Sequence, residues 1–386
     1  MSSPDLDMHA LQRLRSQFSQ ALKDFASSSS SFRILHSVPT RATAPTSSDP
    51  IVTKTLYLLD SSFNPPSKAH TSLVKTALKS QDASPQTKHQ TTPRVLFLLA
   101  TVNADKKPKP ADFEDRLVMM TLAAEDLRSG FTREPISADS TAETPAPIID
   151  IGITKEPYFV DKAAAIDASG IYRSPGYSTS STPSSGAADD GVVEQIHLTG
   201  FDTLLRIFAP KYYPNNHPPL SALEPFLRRH RLRATIRVDP NSPSQNLKDA
   251  QKTQPDSKLT ASSEGPPDLT TIAGQEAYLE GIKNGALEKD GLKREWAERV
   301  ELGWDDSGET DGVSSTKIRN AMKDGNWDEV EGLSLRLDDA GGKRYFHYIN
   351  DESHSKAKGI CDHGNSKTKK LKPSRVELRS THFFGT

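Results

Sequence analysis

The sequence predicts an α/β fold: a Rossmann-like, doubly wound parallel sheet with helices on both faces and flexible insertions. Short apolar runs are typical of buried strands and occur at residues 55–60 and 95–100, and residues 147–153, 195–199 and 234–238 are further strand candidates. Segments with apolar residues at helical spacing lie among them, at residues 67–79, 112–127 and 273–300. Strands that alternate with helices form parallel sheets, which bind ligands beyond the carboxyl ends of their strands.

The composition narrows the class of protein. The chain has 386 residues, a net charge of -1 and a single cysteine, Cys361, which excludes an internal disulfide framework and fits a reducing compartment. No apolar run approaches the ~18 residues of a membrane span. The near-neutral charge gives no reason to expect nucleic-acid binding. We therefore expect a cytoplasmic protein, with the nucleus as a second compartment, that binds neither membranes nor nucleic acids; its oligomeric state stays open.

Three regions are predicted along the chain. Residues 1–50 hold an N-terminal helix and a linker, residues 51–350 hold the α/β domain, and residues 351–386 form a basic tail. Low-complexity insertions interrupt the domain near 174–190 and 239–268, where Ser, Pro and charged residues leave little to bury. We expect the tail to be solvated, and a phosphate or partner contact is the alternative.

The turn after the first strand has the features of a phosphate site. Residues 60–70 leave that strand and enter a helix, whose unpaired N–H groups and positive dipole suit an anion. Ser67 and His70 are three residues apart and share one helical face, so we expect a hydroxyl and an imidazole to point together at the anion. The spacing alone leaves open an ordinary helix start that is capped by Ser67.

A second stretch, at residues 311–322, predicts another phosphate contact. Ser314, Ser315 and Thr316 occupy the start of a helix, and Arg319 follows one turn later. Hydroxyls, free amides and a guanidinium fork together make a polyphosphate clamp. A Ser-capped helix with one exposed arginine is the alternative that these residues leave open.

At these two stretches the sequence resembles the nicotinamide and nicotinate mononucleotide adenylyltransferases. That family carries G-S-F-N-P, then a [H/T]-x-x-H helix start, and late in the chain I-S-S-T-x-I-R. The matching residues are Ser62, Phe63, Asn64 and Pro65, then Ser67 with His70, and the run from Val313 to Arg319. The resemblance covers residues 56–331 apart from the insertions, and it is nearest to a divergent fungal-type branch.

Intermediate segments resemble the family as well. A lysine-bearing loop at residues 102–107 precedes a helix that carries Arg116. A Gly-x-Asp of the family is matched by Gly200 and Asp202, and a Tyr-x-x-Asp by residues 158–161. Two positions depart from the family pattern. Ser61 stands where the family has a glycine that lets backbone approach a ligand, and Ser67 is the first residue of the [H/T]-x-x-H start.

The resemblance implies a reaction in which the 5′-phosphate of nicotinamide mononucleotide attacks the α-phosphorus of ATP, giving NAD and pyrophosphate. It implies catalytic roles for His70 and Ser67 on the α-phosphate and leaving group, for Lys107 on the attacking or bridging phosphate, and for Arg319 on the outer phosphates. The residues implied in nucleotide binding are Ser61, Ser62, Phe63, Asn64, Gly200, Asp202, Ser314, Ser315 and Thr316. Those implied at the substrate base are Tyr158, Asp161 and Tyr213. The family usually stacks a tryptophan on the base, and here Tyr158 or Tyr213 would take that role.

The implied cofactor is Mg²⁺, bound to ATP oxygens and retaining most of its water, so we expect no metal ligands among the protein side chains. Two alternatives stay open. One is a related nucleotidyltransferase with another phosphate acceptor, although Asn64-Pro65 favours the pyridine-nucleotide branch. The other is a pseudoenzyme that binds or hydrolyses ATP. Product analysis separates them, because synthesis gives NAD, hydrolysis gives ADP, and a pure binder gives neither.

Overall fold

The computed structural model describes residues 8–40, 53–82, 92–102, 111–133, 145–173, 191–236, 267–305, 310 and 312–335. Its centre is a seven-stranded sheet in the order β1-β4-β3-β2-β5-β6-β7. Neighbouring strands are parallel except β1, which runs antiparallel to β4. The strands are Phe32–Val38 (β1), Thr55–Asp60 (β2), Arg94–Ala100 (β3), Ile148–Thr154 (β4), Glu194–Gly200 (β5), Arg231–Thr235 (β6) and Val300–Gly303 (β7).

Helices surround the sheet, and the predicted α/β class is confirmed. The helices are Met8–Ser27 (α1), Lys68–Asp82 (α2), Phe113–Arg133 (α3), Phe159–Ser169 (α4), Phe201–Ile207 (α5), Glu224–Leu227 (α6), Ile272–Lys283 (α7), Ser315–Asp324 (α8) and Trp327–Leu333 (α9). Short 3₁₀ turns complete the connections, at Pro210–Tyr212, Pro219–Leu223, Glu288–Asp290 and Arg294–Arg299. None of the described helices is long and apolar enough to cross a membrane.

The central strands are apolar on both faces because helices cover both sides of the sheet. On β2, Tyr57 and Leu59 join the cluster beneath α1, α2 and α3, whereas Leu56 and Leu58 join the cluster beneath α4. β3 repeats this alternation. The continuous apolar runs that predicted these strands therefore reflect double burial, and a half-exposed strand would instead alternate with polar residues.

The N-terminal segment is part of this core. The predicted N-terminal helix is present as α1, and its buried residues Leu11, Phe18 and Phe25 belong to the cluster that also contains α3. Residues 32–38, to which the sequence assigned no strand, form β1 at the edge of the sheet. The predicted linker to residue 50 can therefore begin only after β1.

Two strands at the other edge also differ from the prediction. β6 begins and ends three residues before the predicted 234–238, and β7 was not predicted. The shift centres on Arg233, a charged residue that local sequence does not assign to a strand. In the structure Arg233 is opposite Glu301 of β7, and its guanidinium contacts that carboxylate. The insertions at 174–190 and 239–266, the tail at 351–386 and Lys107 lie outside the described residues.

The strand order creates one switch point. The chain proceeds from β2 through β3 to β4 on one side, then returns to place β5 on the opposite side of β2. Neighbouring connections therefore diverge at the carboxyl ends of β2 and β5, where ligands bind in sheets of this type. The first predicted phosphate turn follows β2, and Gly200 and Asp202 follow β5, so the fold brings both to this crevice.

Candidate active site

The turn after β2 has an unusual backbone held by packing. Phe63 has φ of 44°, in the left-handed region that non-glycine residues rarely adopt. Its ring is fully buried and lies against the rings of His70 and Phe97, with centroids 5.3 and 5.4 Å away. The aromatic ring of the predicted motif thus anchors the turn in the core and does not face a ligand.

His70, in the first turn of α2, is bonded on both sides of its ring. The backbone N–H of Ser67 donates to Nδ1 over 3.0 Å, so Nδ1 is the acceptor and the neutral ring carries its proton on Nε2. Nε2 lies 2.9 Å from the Ser61 hydroxyl. In the structure Nε2–H therefore donates to the Ser61 hydroxyl at the carboxyl end of β2, on a half-exposed ring.

Ser67 has a different place from the one expected. Its side chain is buried, and its hydroxyl lies 2.8 Å from Nδ1 of His70, on the side of the ring opposite Ser61. The sequence analysis had both side chains pointing together at the anion. The geometry instead makes Ser67 a positioning residue that orients the imidazole. Ser62 is exposed in the same turn.

The late motif packs directly on this turn. The Ser315 hydroxyl donates to the carbonyl of Pro65 over 2.7 Å, although the two residues are 250 positions apart. Arg319 Nη1 donates to the carbonyl of Asn64 over 2.6 Å, across 255 positions. The two predicted motifs therefore form one site, in which α8 is hydrogen-bonded to the backbone of the first turn.

The remaining hydroxyls of α8 serve the helix itself. Ser314 is the N-cap, and its side chain accepts from the backbone N–H of Lys317, so the ordinary cap that the sequence left open is present. The Thr316 hydroxyl accepts from Nη2 of Arg319 over 2.9 Å. These contacts fix the guanidinium of Arg319 with one edge on the turn and one on its own helix.

A second arginine adds positive charge beside Arg319. Arg116 of α3 is buried, donates to the carbonyl of Ala111 and stacks on Phe113. Burial lowers its pKa from the ordinary value, the charge of Asp112 opposes this, and the charge of Arg319 adds to the lowering. Burial also lowers the pKa of Arg319. A phosphate that contacted either guanidinium would offset its partial desolvation, so this part of the site suits phosphate.

Gly200 and Asp202 begin α5 at the end of β5. A Cβ on Gly200 would lie 2.8 Å from Oδ1 of Asp202, so this carboxylate turns back toward the backbone of the strand end. Asp202 is half-buried, and its position beside the carboxyl end of β2 leaves it next to the phosphate turn in the sheet.

Comparison with known proteins agrees with this geometry. No protein-family model matches the chain. A curated protein of Schizosaccharomyces pombe (strain 972 / ATCC 24843), named "Putative nicotinamide mononucleotide adenylyltransferase", is 29% identical over 273 residues, which are 71% of this chain and 78% of that protein. The chain is therefore similar, over most of its length, to a protein that carries the name of a nicotinamide mononucleotide adenylyltransferase. The assignment to a fungal-type branch stays a prediction.

The three residues predicted for the substrate base differ in exposure. Tyr158 is 44% exposed just before α4, and Asp161 is exposed in the first turn of that helix. Burial, and then the nearby Glu156, raises the pKa of Asp161. Tyr213 is buried and its hydroxyl donates to the carbonyl of Ile207, so its ring has no free face for stacking. Tyr158 is therefore the one of the two tyrosines that can stack on a base.

Sequence reasoning missed two carboxylates at the margin of this site. Asp60, the last residue of β2, pairs with Lys162 of α4. Asp305 accepts from Ser72 of α2 and from Thr310, which ties the approach to α8 onto α2. A carboxylate at the end of an apolar strand was a usable signal for Asp60. The contact of Asp305 with Ser72 joins residues 233 positions apart, and no local pattern predicts it.

Proposed function

We propose that this protein transfers AMP from ATP to nicotinamide mononucleotide, forming NAD and releasing pyrophosphate. The observation that carries the proposal is the docking of α8 on the turn after β2, through Ser315 and Arg319. It gathers an imidazole N–H, two arginines and two helix N-termini at the switch point of the sheet. These groups suit a polyphosphate, and the similarity to a protein named for this reaction supports the choice of acceptor.

The proposed mechanism needs no protein nucleophile. The 5′-phosphate of the mononucleotide attacks the α-phosphorus of ATP, a new P–O bond forms, and the bond to the bridging oxygen of pyrophosphate breaks. Nε2–H of His70 exchanges its bond to the Ser61 hydroxyl for one to the oxygen on which charge develops, and Ser67 holds the ring in that orientation. Arg319 and Arg116 stabilise the leaving pyrophosphate. Catalysis then rests on positioning and charge stabilisation, as in phosphoryl transfer generally.

The remaining roles extend this proposal. Lys107 contacts the attacking or bridging phosphate, Asp202 accepts hydrogen bonds from a ribose or base, and Tyr158 stacks on the pyridine ring. Among the described residues no group of three or more His, Cys, Asp or Glu side chains could hold a metal ion. The donors around the turn are hydroxyl, imidazole and guanidinium groups, which suit phosphate oxygens better than a cation. Mg²⁺ bound to ATP oxygens would neutralise part of the phosphate charge.

The test is incubation of the purified protein with ATP, Mg²⁺ and one acceptor at a time. The acceptors are nicotinamide mononucleotide, nicotinate mononucleotide and phosphopantetheine, and chromatography reports dinucleotide and pyrophosphate. The proposal expects NAD from nicotinamide mononucleotide. Product from phosphopantetheine alone would identify a related nucleotidyltransferase, and ADP without dinucleotide would identify an ATP-hydrolysing protein.

A further inference from the structure

An ion pair lies on the margin of the phosphate site. Asp60 is the last residue of β2, and the next residue is Ser61, whose hydroxyl contacts His70. Nζ of Lys162, in the first turn of α4, lies 2.5 Å from Oδ2 of Asp60. The Lys162 side chain is 11% exposed, and within the described parts of the chain Asp60 is its only hydrogen-bond partner. The pair joins two elements that converge at the switch point.

This placement raises an electrostatic question. A carboxylate beside a site for several phosphates repels them, and partial burial of the site makes the repulsion stronger than in water. Lysine is seldom buried unless it is paired, and burying one costs free energy. The ammonium of a partly buried lysine beside this carboxylate neutralises the negative charge that would otherwise repel phosphate at the site.

We propose that Lys162 is the counter-ion that makes Asp60 compatible with polyphosphate binding, so that the pair sets the affinity of the site for highly charged nucleotides. The proposal rests on the proposed function only in placing ATP at this turn. The role is electrostatic and acts through Asp60: Lys162 neutralises the carboxylate and does not itself ligate a phosphate. Loss of Lys162 leaves a bare carboxylate, and loss of both charges restores a neutral margin.

The experiment measures the affinity of the full-length protein for ATP and for adenosine by calorimetry. Lys162→Met is expected to weaken ATP binding on the order of tenfold, because one uncompensated charge acts at short range in a partly buried site. Adenosine, which carries no charge, should change less than about twofold. The ATP loss should shrink at about 1 M salt, where the Debye length is about 3 Å.

The double variant Asp60→Asn/Lys162→Met provides the decisive contrast. It should recover most of the ATP affinity that Lys162→Met loses. A double variant as weak as Lys162→Met would overturn the proposal and make Lys162 a direct phosphate ligand. Equal losses for ATP and adenosine would overturn it in favour of a structural role, and an unchanged ATP affinity in Lys162→Met would overturn it outright.

Two further variants complete the design. Asp60→Asn alone keeps the lysine charge and should bind ATP more tightly than wild type, so the proposal remains testable if Lys162→Met does not fold; equal or weaker binding would overturn it. Lys293→Met is the control. Lys293 also pairs with a carboxylate, that of Glu224, but the two residues precede β7 and β6 in the chain, whereas Asp60 lies at the carboxyl end of β2. Wild-type protein that binds ATP but makes no dinucleotide would defeat the proposed function and leave this test intact.

Discussion

His70 donates from Nε2 because the backbone of Ser67 has already taken Nδ1 as an acceptor. In the structure this N–H faces the hydroxyl of Ser61, so the ring is already oriented before charge develops and only the hydrogen-bond partner changes. The residue types of the motif were predictable from sequence, and so was the face they share. The direction of each hydroxyl was not, because it depends on which protein group reaches it first. Ser67, Ser314 and Thr316 all bond to protein atoms in the structure.

Replacing His70 with alanine tests the residue on which the mechanism depends. We expect His70→Ala to fold normally and to lose about a hundredfold or more in kcat, because one preorganised donor is typically worth ~3 kcal/mol. The measurement is NAD formation together with thermal unfolding. His9→Ala, on the exposed face of α1, is the control. A folded His70→Ala protein with near-normal turnover would remove His70 from the mechanism.

His197 predicts how stability responds to acid. Its ring is buried between Phe159 and Phe226, and Nε2 lies 2.9 Å from Oε1 of Gln195. Burial, first, and the charges of nearby cations lower its pKa well below 6.5. Below pH 6.5 His197 is therefore protonated in the unfolded chain but stays neutral in the native protein, so the free energy of unfolding falls as pH falls.

The measurement for this group is the melting temperature between pH 7 and pH 5. His197 can contribute at most about 1.4 kcal/mol per pH unit. His197→Gln keeps a donor for Gln195 and does not titrate, so its melting temperature should fall less than that of wild type. Parallel curves for the two proteins would show that this histidine does not control acid sensitivity.

At the scale of elements, α8 is held to the turn after β2 by the same side chains that the proposal assigns to phosphate. Arg319 is half-buried on the turn, whereas Lys317, two residues earlier, is exposed. The two positions therefore separate a phosphate clamp from general damage to the helix, since both lie in its first two turns.

Arg319→Lys should weaken catalysis although it keeps the charge, because lysine cannot make the two-pronged contact of a guanidinium. We expect kcat/KM for ATP to fall roughly tenfold or more, the loss of one charged hydrogen bond. AMP, which lacks the outer phosphates, should lose much less affinity. Lys317→Ala should behave like wild type. If AMP affinity fell as far as ATP affinity, α8 would not be the triphosphate clamp.

The docking of α1 gives a stability test at the same scale. Phe18 is buried under α1, while Gln17 beside it is exposed. Phe18→Ala should cost ~3–5 kcal/mol by opening a cavity, enough to lower the melting temperature by roughly 10 °C. Gln17→Ala should change it little. Thermal unfolding of both variants decides the point, and an unchanged midpoint in Phe18→Ala would mean that α1 is not part of the core.

The elements differ in how far sequence predicts them. β2 and β3 were found because burial on both faces leaves an uninterrupted apolar run, and β4 and β5 retain enough apolar residues to read as strands although polar residues interrupt them. β1 and β7 lie at the edges of the sheet, where neighbours decide which residues pair. Histidine and arginine interrupt β1, and β7 has four residues, so neither produced a local signal. Tertiary pairing therefore fixes the edges, while composition fixes the centre.

At the scale of the whole molecule, the fold brings together two motifs that lie far apart in the chain. The turn after β2 and the start of α8 are about 250 residues apart, yet they share direct hydrogen bonds at the switch point. The motif order predicted that both would serve one ligand. The strands β3 to β7 lie between them in the chain, so no local sequence pattern brings the two segments into contact.

The central claim is that this joint site transfers AMP, and the fate of labelled phosphates in ATP tests it most directly. Wild-type protein receives Mg²⁺, nicotinamide mononucleotide and ATP labelled at either the α- or the γ-phosphorus. The account predicts that the α-label enters NAD and that the γ-label enters pyrophosphate, with both transfers lost in His70→Ala. Recovery of the γ-label as free phosphate, with the α-label remaining in ADP, would contradict it.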